Sequence, residues 1–185
     1  ALSGCDLLWV TIDTPINEED EADVDSVVAQ VRDAAAHLPS KCVVLVSSQL
    51  PVGTTQLLTS EFSKQSLHFA YSRENLRLGK ALNIFQNPER IVVGVDDDNA
   101  RGRTAELLQV FTHNIIWMSV ASAEMTKHAI NGFLALSVTY ANELARLCEA
   151  TGADAQDVAR GLKSEQRIGP QAYVSPGGAF AGGTL

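Results

Sequence analysis

The chain has no long apolar run. No stretch of its 185 residues approaches the roughly 20 needed to span a bilayer. The N-terminal residues show no signal-peptide pattern either. Basic residues are scarce: 14 Lys and Arg against 22 Asp and Glu leave a net charge of −8. That balance excludes a nucleic-acid groove or an acidic membrane surface as partner. Cysteine is sparse as well, and Cys5, Cys42 and Cys148 each lie in or beside an apolar run. They read as small core residues, not as a disulfide frame or a metal site. The four histidines (His37, His68, His113, His128) have no ligand spacing, so no metal is expected. A reducing, cytoplasmic compartment follows from this usage. Also missing is any GxGxxG after a strand, the turn that cradles a dinucleotide pyrophosphate. Without it, the isolated 185 residues are expected to bind NAD⁺ weakly or not at all.

What is present alternates between strand-like and helix-like segments for about two-thirds of the chain. Short apolar runs at Asp6–Ile12, Lys41–Ser48, Leu67–Tyr71, Arg90–Val95 and Asn114–Met118 predict five strands. Between them, Val24, Val27, Val28, Val31, Ala35 and Leu38 mark one helical face, with Asp23 as its N-cap. Helices are also predicted over Thr54–Lys64 and about Asn99–Thr112. Strands separated by helices imply an α/β fold, a parallel sheet with helices on its faces. The first residues lead straight into a strand, so the sequence reads as the middle of a longer chain, with an exposed sheet edge that a partner or another copy would cover.

After Ser119 the pattern becomes helical. Ala121–Thr151 reads as one long helix closed by Gly152, and Asp154–Arg160 as a shorter one stopped by Gly161. The tail Ser175–Leu185 is rich in glycine and reads as a loop able to hug a ligand. Lys127 and Asn131 stand four residues apart on the long helix, so they share a face. Their surroundings are apolar, which predicts a buried helix. A buried ammonium is costly unless a partner or ligand meets it. A donor-rich pair aimed inward suits a substrate oxygen. The plainer alternatives are a structural lysine at a helix end or an ion pair with Glu124, three residues earlier.

Several motifs in order carry a family resemblance: Asp13-Thr14-Pro15, Leu50-Pro51-Val52-Gly53-Thr54, Asn87-Pro88-Glu89-Arg90 through Gly94, Ala123-Glu124-Met125-Thr126-Lys127 through Leu134, Asn142-Glu143, Leu147 through Asp154, and Arg167-Ile168-Gly169. The sequence resembles the UDP-glucose/GDP-mannose dehydrogenases along essentially its whole length. The resemblance implies a partial Rossmann-like sheet, residues 1–119, as the C-terminal half of an NAD-binding domain. Residues 120–185 would then be a truncated helical central domain that dimerises. It implies NAD as cofactor and a UDP- or GDP-linked sugar as substrate, oxidised at its C6 alcohol. By the same likeness Thr14 and Gln49 lie near the cofactor, and Lys127 and Asn131 face the reacting carbon. Glu74 is a candidate proton-handling acid. Asn75, Leu76, Arg77 and Arg167, with the backbone of Tyr173, Val174, Ser175, Pro176 and Gly177, fall to the sugar nucleotide.

The chain departs from the family where the chemistry would be. Thr184 aligns with the cysteine that captures the C6 aldehyde as a thiohemiacetal. A threonine hydroxyl is far less acidic than a thiol and its methyl crowds the attack, which argues against the second oxidation. Gln49 replaces a threonine, and Leu78 removes the second acid of the segment that follows the third strand. Two other readings stay open: a two-electron dehydrogenase of the β-hydroxyacid type, and a non-catalytic binding or dimerisation module. The partners expected are a nucleotide sugar and another copy of the chain, as a homodimer or higher oligomer.

Overall fold

The computed structural model describes residues 2–19, 21–73, 76 and 79–178. Five strands, β1 Leu7–Val10, β2 Val43–Val46, β3 His68–Tyr71, β4 Ile91–Val95 and β5 Ile115–Met118, form one sheet in sequential order. The helices are α1 Val24–Ala35, α2 Thr54–Glu61, α3 Ala81–Gln86, α4 Asp98–Leu108, α5 Val120–Thr151 and α6 Ala155–Ser164. By their contacts the residues divide into two units, 1–127 and 128–185.

In the first unit β1, β2 and β3 run parallel, as do β4 and β5, but β4 is antiparallel to β3. The sheet is therefore mostly, not wholly, parallel. A parallel return needs a covering crossover element. Among the described residues the only helix between β3 and β4 is the six-residue α3, and β4 instead turns back beside β3. That helix was not foreseen, because it is too short to show a periodicity.

Each face of the sheet has its own core. On one, Val10, Val44, Val46, Phe69 and Tyr71 pack with Val27, Val28, Val31 and Ala35 of α1, Leu58 of α2, and Val120 and Ala123 of α5. On the other, Val43, Leu45, Ala70 and Val93 pack with Ala100 and Leu108 of α4. Strand β2, buried over all four residues, faces both cores, which is why it reads as an unbroken apolar run. The apolar face predicted for α1 is the one that is buried, and the Asp23 carboxylate accepts the Ser26 N–H as its cap. Gly94 on β4 permits the close approach of α5. A Cβ there would lie 2.7 Å from both the Ala123 Cβ and the Val120 Cα.

In the second unit α5 ends at Thr151, and Gly152 follows at φ 77°. Helix α6 runs through Gly161 to Ser164, so that glycine is not a stop. Hydrogen bonding on both sides tolerates a helical glycine at a cost of about 1 kcal/mol. The long helix also differs from expectation. Ala135, Val138, Ala141 and Cys148 are buried, but Met125, Phe133, Leu136, Tyr140 and Leu147 are each more than half exposed. Apolar residues occupy more than one side of α5, and the chain covers only part of its circumference.

Candidate functional site

The carboxyl ends of β1, β2 and β3 lie along one edge of the sheet, the side on which open α/β sheets hold their ligands. Hydroxyl groups knit this edge together. The Trp9 indole N–H donates to Ser47 Oγ (2.8 Å), and Ser47 Oγ donates to the Ser72 carbonyl (2.5 Å). Ser72 Oγ in turn donates to the Val92 carbonyl at 3.0 Å. Ser47, Ser48 and Ser72 are buried, and these bonds are what make their burial tolerable.

Two further bonds fasten the segment after β1 to the segment after β2. Ser48 Oγ donates to the Ile12 carbonyl (2.6 Å), and Thr14 Oγ1 donates to the Gln49 carbonyl (2.7 Å). The structure thus brings together Thr14 and Gln49, which are 35 residues apart in the chain. Arg73, just beyond β3, donates from Nη1 to the Ser47 carbonyl at 2.9 Å and from Nη2 to Asp13 at 3.4 Å. Among the described residues its buried Nε–H has no acceptor.

Helix α2 begins at this edge with Gly53 at its N-cap, a residue that has no side chain to accept its first N–H groups. The acceptor comes from α5. The fully buried Glu124 carboxylate takes the Gly53 N–H at 2.6 Å and the Thr55 N–H at 3.0 Å. A carboxylate at a helix N-terminus also interacts favourably with the helix dipole. Glu124 therefore has a definite task besides any relation to Lys127.

On α5, Asn131 is 7 % exposed and Lys127 is half-buried, so neither is an ordinary surface residue. Their spacing on an unbroken helix puts them on one face. Leu76 is half exposed and lines a cavity of about 300 Å³ in the first unit, with Trp9, Arg73, Phe85, Arg90 and Phe111. Glu74, Asn75, Arg77 and Thr184 lie outside the described residues.

In the second unit the segment 173–177 is held by a two-way clasp. Asn142 Nδ2 donates to the Gly177 carbonyl (3.0 Å), and the Gly177 N–H donates to Asn142 Oδ1 (2.8 Å). Val174 and Pro176 line a small pocket together with Ala141, Cys148 and Ala159 of α5 and α6, and Tyr173, Ser175 and Pro176 are exposed. Arg167 is exposed and paired with Glu165 at 2.9 Å. Its guanidinium, and then its backbone N–H, hold the Glu165 carboxyl below the usual range.

Residues 1–113 match the NAD-binding domain of the UDP-glucose/GDP-mannose dehydrogenase family, and residues 121–185 match its central domain. The chain belongs to this family. It is similar to the UDP-glucose 6-dehydrogenase TuaD of Bacillus subtilis, 34 % identical over 98 % of the chain and 40 % of that protein. A UDP-glucose 6-dehydrogenase of Pseudomonas aeruginosa is 30 % identical over 98 % of the chain and 42 % of its own length. Among solved structures, a UDP-glucose dehydrogenase of Pyrobaculum islandicum superposes with a TM-score of 0.83 at 30 % identity. That match covers 93 % of this chain and 41 % of the other. The chain thus spans about two-fifths of the length of these dehydrogenases.

Arg73, the three serines, Asn142 and the capping role of Glu124 escaped the sequence reading. One signal was available for Glu124: a glycine at a helix N-cap needs an acceptor from elsewhere. Asn142 stood within a family motif that gave it no role, and nothing in the pattern of Arg73 or the serines distinguished them from surface polar groups.

Proposed function

We propose that this chain is the sheet-and-helix portion of an NAD-dependent nucleotide-sugar dehydrogenase. Its reaction would be oxidation of the primary alcohol of a UDP- or GDP-linked sugar. The observation that carries the reading is the Lys127–Asn131 pair, kept from full exposure on a helix that belongs to the family's central domain. The names of the similar dehydrogenases support UDP-glucose as the first substrate to try.

The carboxyl edge of the parallel strands fits a dinucleotide. It offers Thr14 and Gln49 side by side, and the guanidinium of Arg73 with one N–H that has no acceptor among the described residues. When bound, NAD⁺ supplies the acceptor for hydride. The remaining work falls to the chain. As the alcohol loses its proton and hydride, charge develops on its oxygen, and positioned donors stabilise that charge most strongly where water is excluded. The Lys127 ammonium and the Asn131 carboxamide are such donors. In this reading Asn142 fixes the backbone of 173–177 for contact with the sugar nucleotide, and Arg167 exchanges Glu165 for a phosphate. The exposed stripe of α5, with Phe133, Leu136, Tyr140 and Leu147, joins two copies of the protein.

Thr184 in place of a thiol limits the reaction to its first, two-electron stage. NADH formation by the full-length protein, measured over a panel of UDP- and GDP-sugars, tests the proposal. The expected result is turnover with one sugar nucleotide, about one NADH per sugar, and a loss of roughly 10²-fold or more in kcat for Lys127→Ala. Absence of turnover with every member of the panel rejects the enzyme.

A further inference from the structure

Cys5 and Cys42 are 37 positions apart in sequence, yet the parallel pairing of β1 with β2 makes them neighbours. The register sets Leu7 against Val43, and the Val43 N–H donates to the Asp6 carbonyl at 3.0 Å, so the pairing continues back to the residue next to Cys5. The Cys42 thiol points at the Cys5 sulfur, 3.9 Å away, and Cys5 donates its own S–H to the Leu7 carbonyl at 3.1 Å. Both are free thiols. A disulfide needs about 2.05 Å between sulfurs, so closure asks for a shift of less than about 2 Å. The means for that shift are at hand. Cys5 lies outside the ladder, directly after a turn whose Ser3 and Gly4 are exposed.

The two thiols differ in access. Cys42 is 2 % exposed, whereas Cys5 is half-buried and reachable from solvent. Burial, and then the adjacent Cys5 sulfur, push the Cys42 thiol up to about 12. Cys42 is thus poorly suited to meet an oxidant first, and what sets it beside an oxidised neighbour is position, its sulfur lying 3.9 Å from that of Cys5.

We propose that Cys5 and Cys42 are a peroxide-responsive dithiol pair that closes into a disulfide, locking β1 to β2 at the amino edge of the sheet. In the first step the Cys5 sulfur attacks hydrogen peroxide and takes one oxygen. The O–O bond breaks, the other oxygen leaves as water with the thiol proton, and a sulfenic acid remains. In the second step the Cys42 sulfur attacks Cys5, the S–O bond breaks, and hydroxide leaves as water with the Cys42 proton. Two thiols together lose two electrons and two protons, and peroxide becomes two waters. The crosslink forms at the end of the strands opposite the proposed cofactor edge, so it fixes the first crossover of the sheet without occupying the site.

The test is treatment of the chain with a small excess of hydrogen peroxide, then alkylation under denaturing conditions and non-reducing peptide mapping. The expected product is one crosslinked peptide pair holding Cys5 and Cys42, two hydrogens lighter, restored by dithiothreitol, with Cys148 still alkylated. The Cys148→Ser variant gives the same crosslink. In Cys42→Ser the oxidised Cys5 persists as a sulfenic acid that dimedone captures. The wild-type map decides even if that variant does not fold. Oxidation of Cys5 to sulfinic acid while Cys42 remains alkylatable overturns the proposal, as does a crosslink that involves Cys148 or joins two chains.

Discussion

Glu124 shows how far one buried carboxylate reaches. It lies on α5, yet its oxygens finish the first turn of α2, and hydrogen bonds to a charged group contribute about 1.5–3 kcal/mol each. Glu124→Ala removes both bonds and leaves two N–H groups without an acceptor. The expected loss is about 3 kcal/mol of unfolding free energy in urea titration. Glu124→Gln, which keeps one acceptor oxygen, should fall between that variant and the wild type. A loss under about 0.5 kcal/mol for the alanine variant would mean that water replaces the carboxylate. Residues of this kind are hard to read from sequence. Lys127 and Asn131 stood out because their polarity breaks an apolar pattern. Arg73, Ser47 and Asn142 did not, because their roles depend on carbonyls brought near by folding, and carbonyls carry no sequence signal.

Among the elements, the strands were legible. All five lie within the apolar runs that predicted them, most plainly β2, which is buried over its whole length and therefore continuously apolar. The direction of β4 was not legible: strand orientation depends on the path of the connection, and the six-residue α3 left no pattern to follow. Helix α6 passed its glycine because a helical residue needs no left-handed conformation, and the sequence alone does not say which glycine will adopt one. Helices α1 and α2 are tied by a two-pronged ion pair, in which Arg32 Nε and Nη2 meet the two oxygens of Glu61 at 2.8 and 2.6 Å. The Arg32 hydrogen bonds hold the Glu61 carboxyl below its usual range. A carboxyl depressed in the folded state stabilises fully above its unfolded value and loses that contribution as pH falls through the folded one. Glu61→Gln should therefore lower the melting temperature near neutral pH, by a margin that shrinks under high salt. The difference should vanish in acid. Equal differences at neutral and acid pH would show that the pair does not act through charge.

At the scale of the whole molecule, an acidic chain without a membrane-spanning helix among its described residues carries an exposed apolar stripe on its longest helix. A contiguous apolar surface rimmed by polar groups marks an association site. For the dimer proposed above, Leu136→Glu should give a monomer of the full-length protein in light scattering. An unchanged mass would place the subunit contact elsewhere. The proposed activity rests on the alcohol oxygen meeting two donors of α5, and the most direct measurement is a crystal structure of the full-length protein with NAD⁺ and its sugar nucleotide. The account predicts the reacting hydroxyl within hydrogen-bond distance of both Lys127 Nζ and Asn131 Nδ2. A sugar bound with that hydroxyl out of reach of both groups would contradict it.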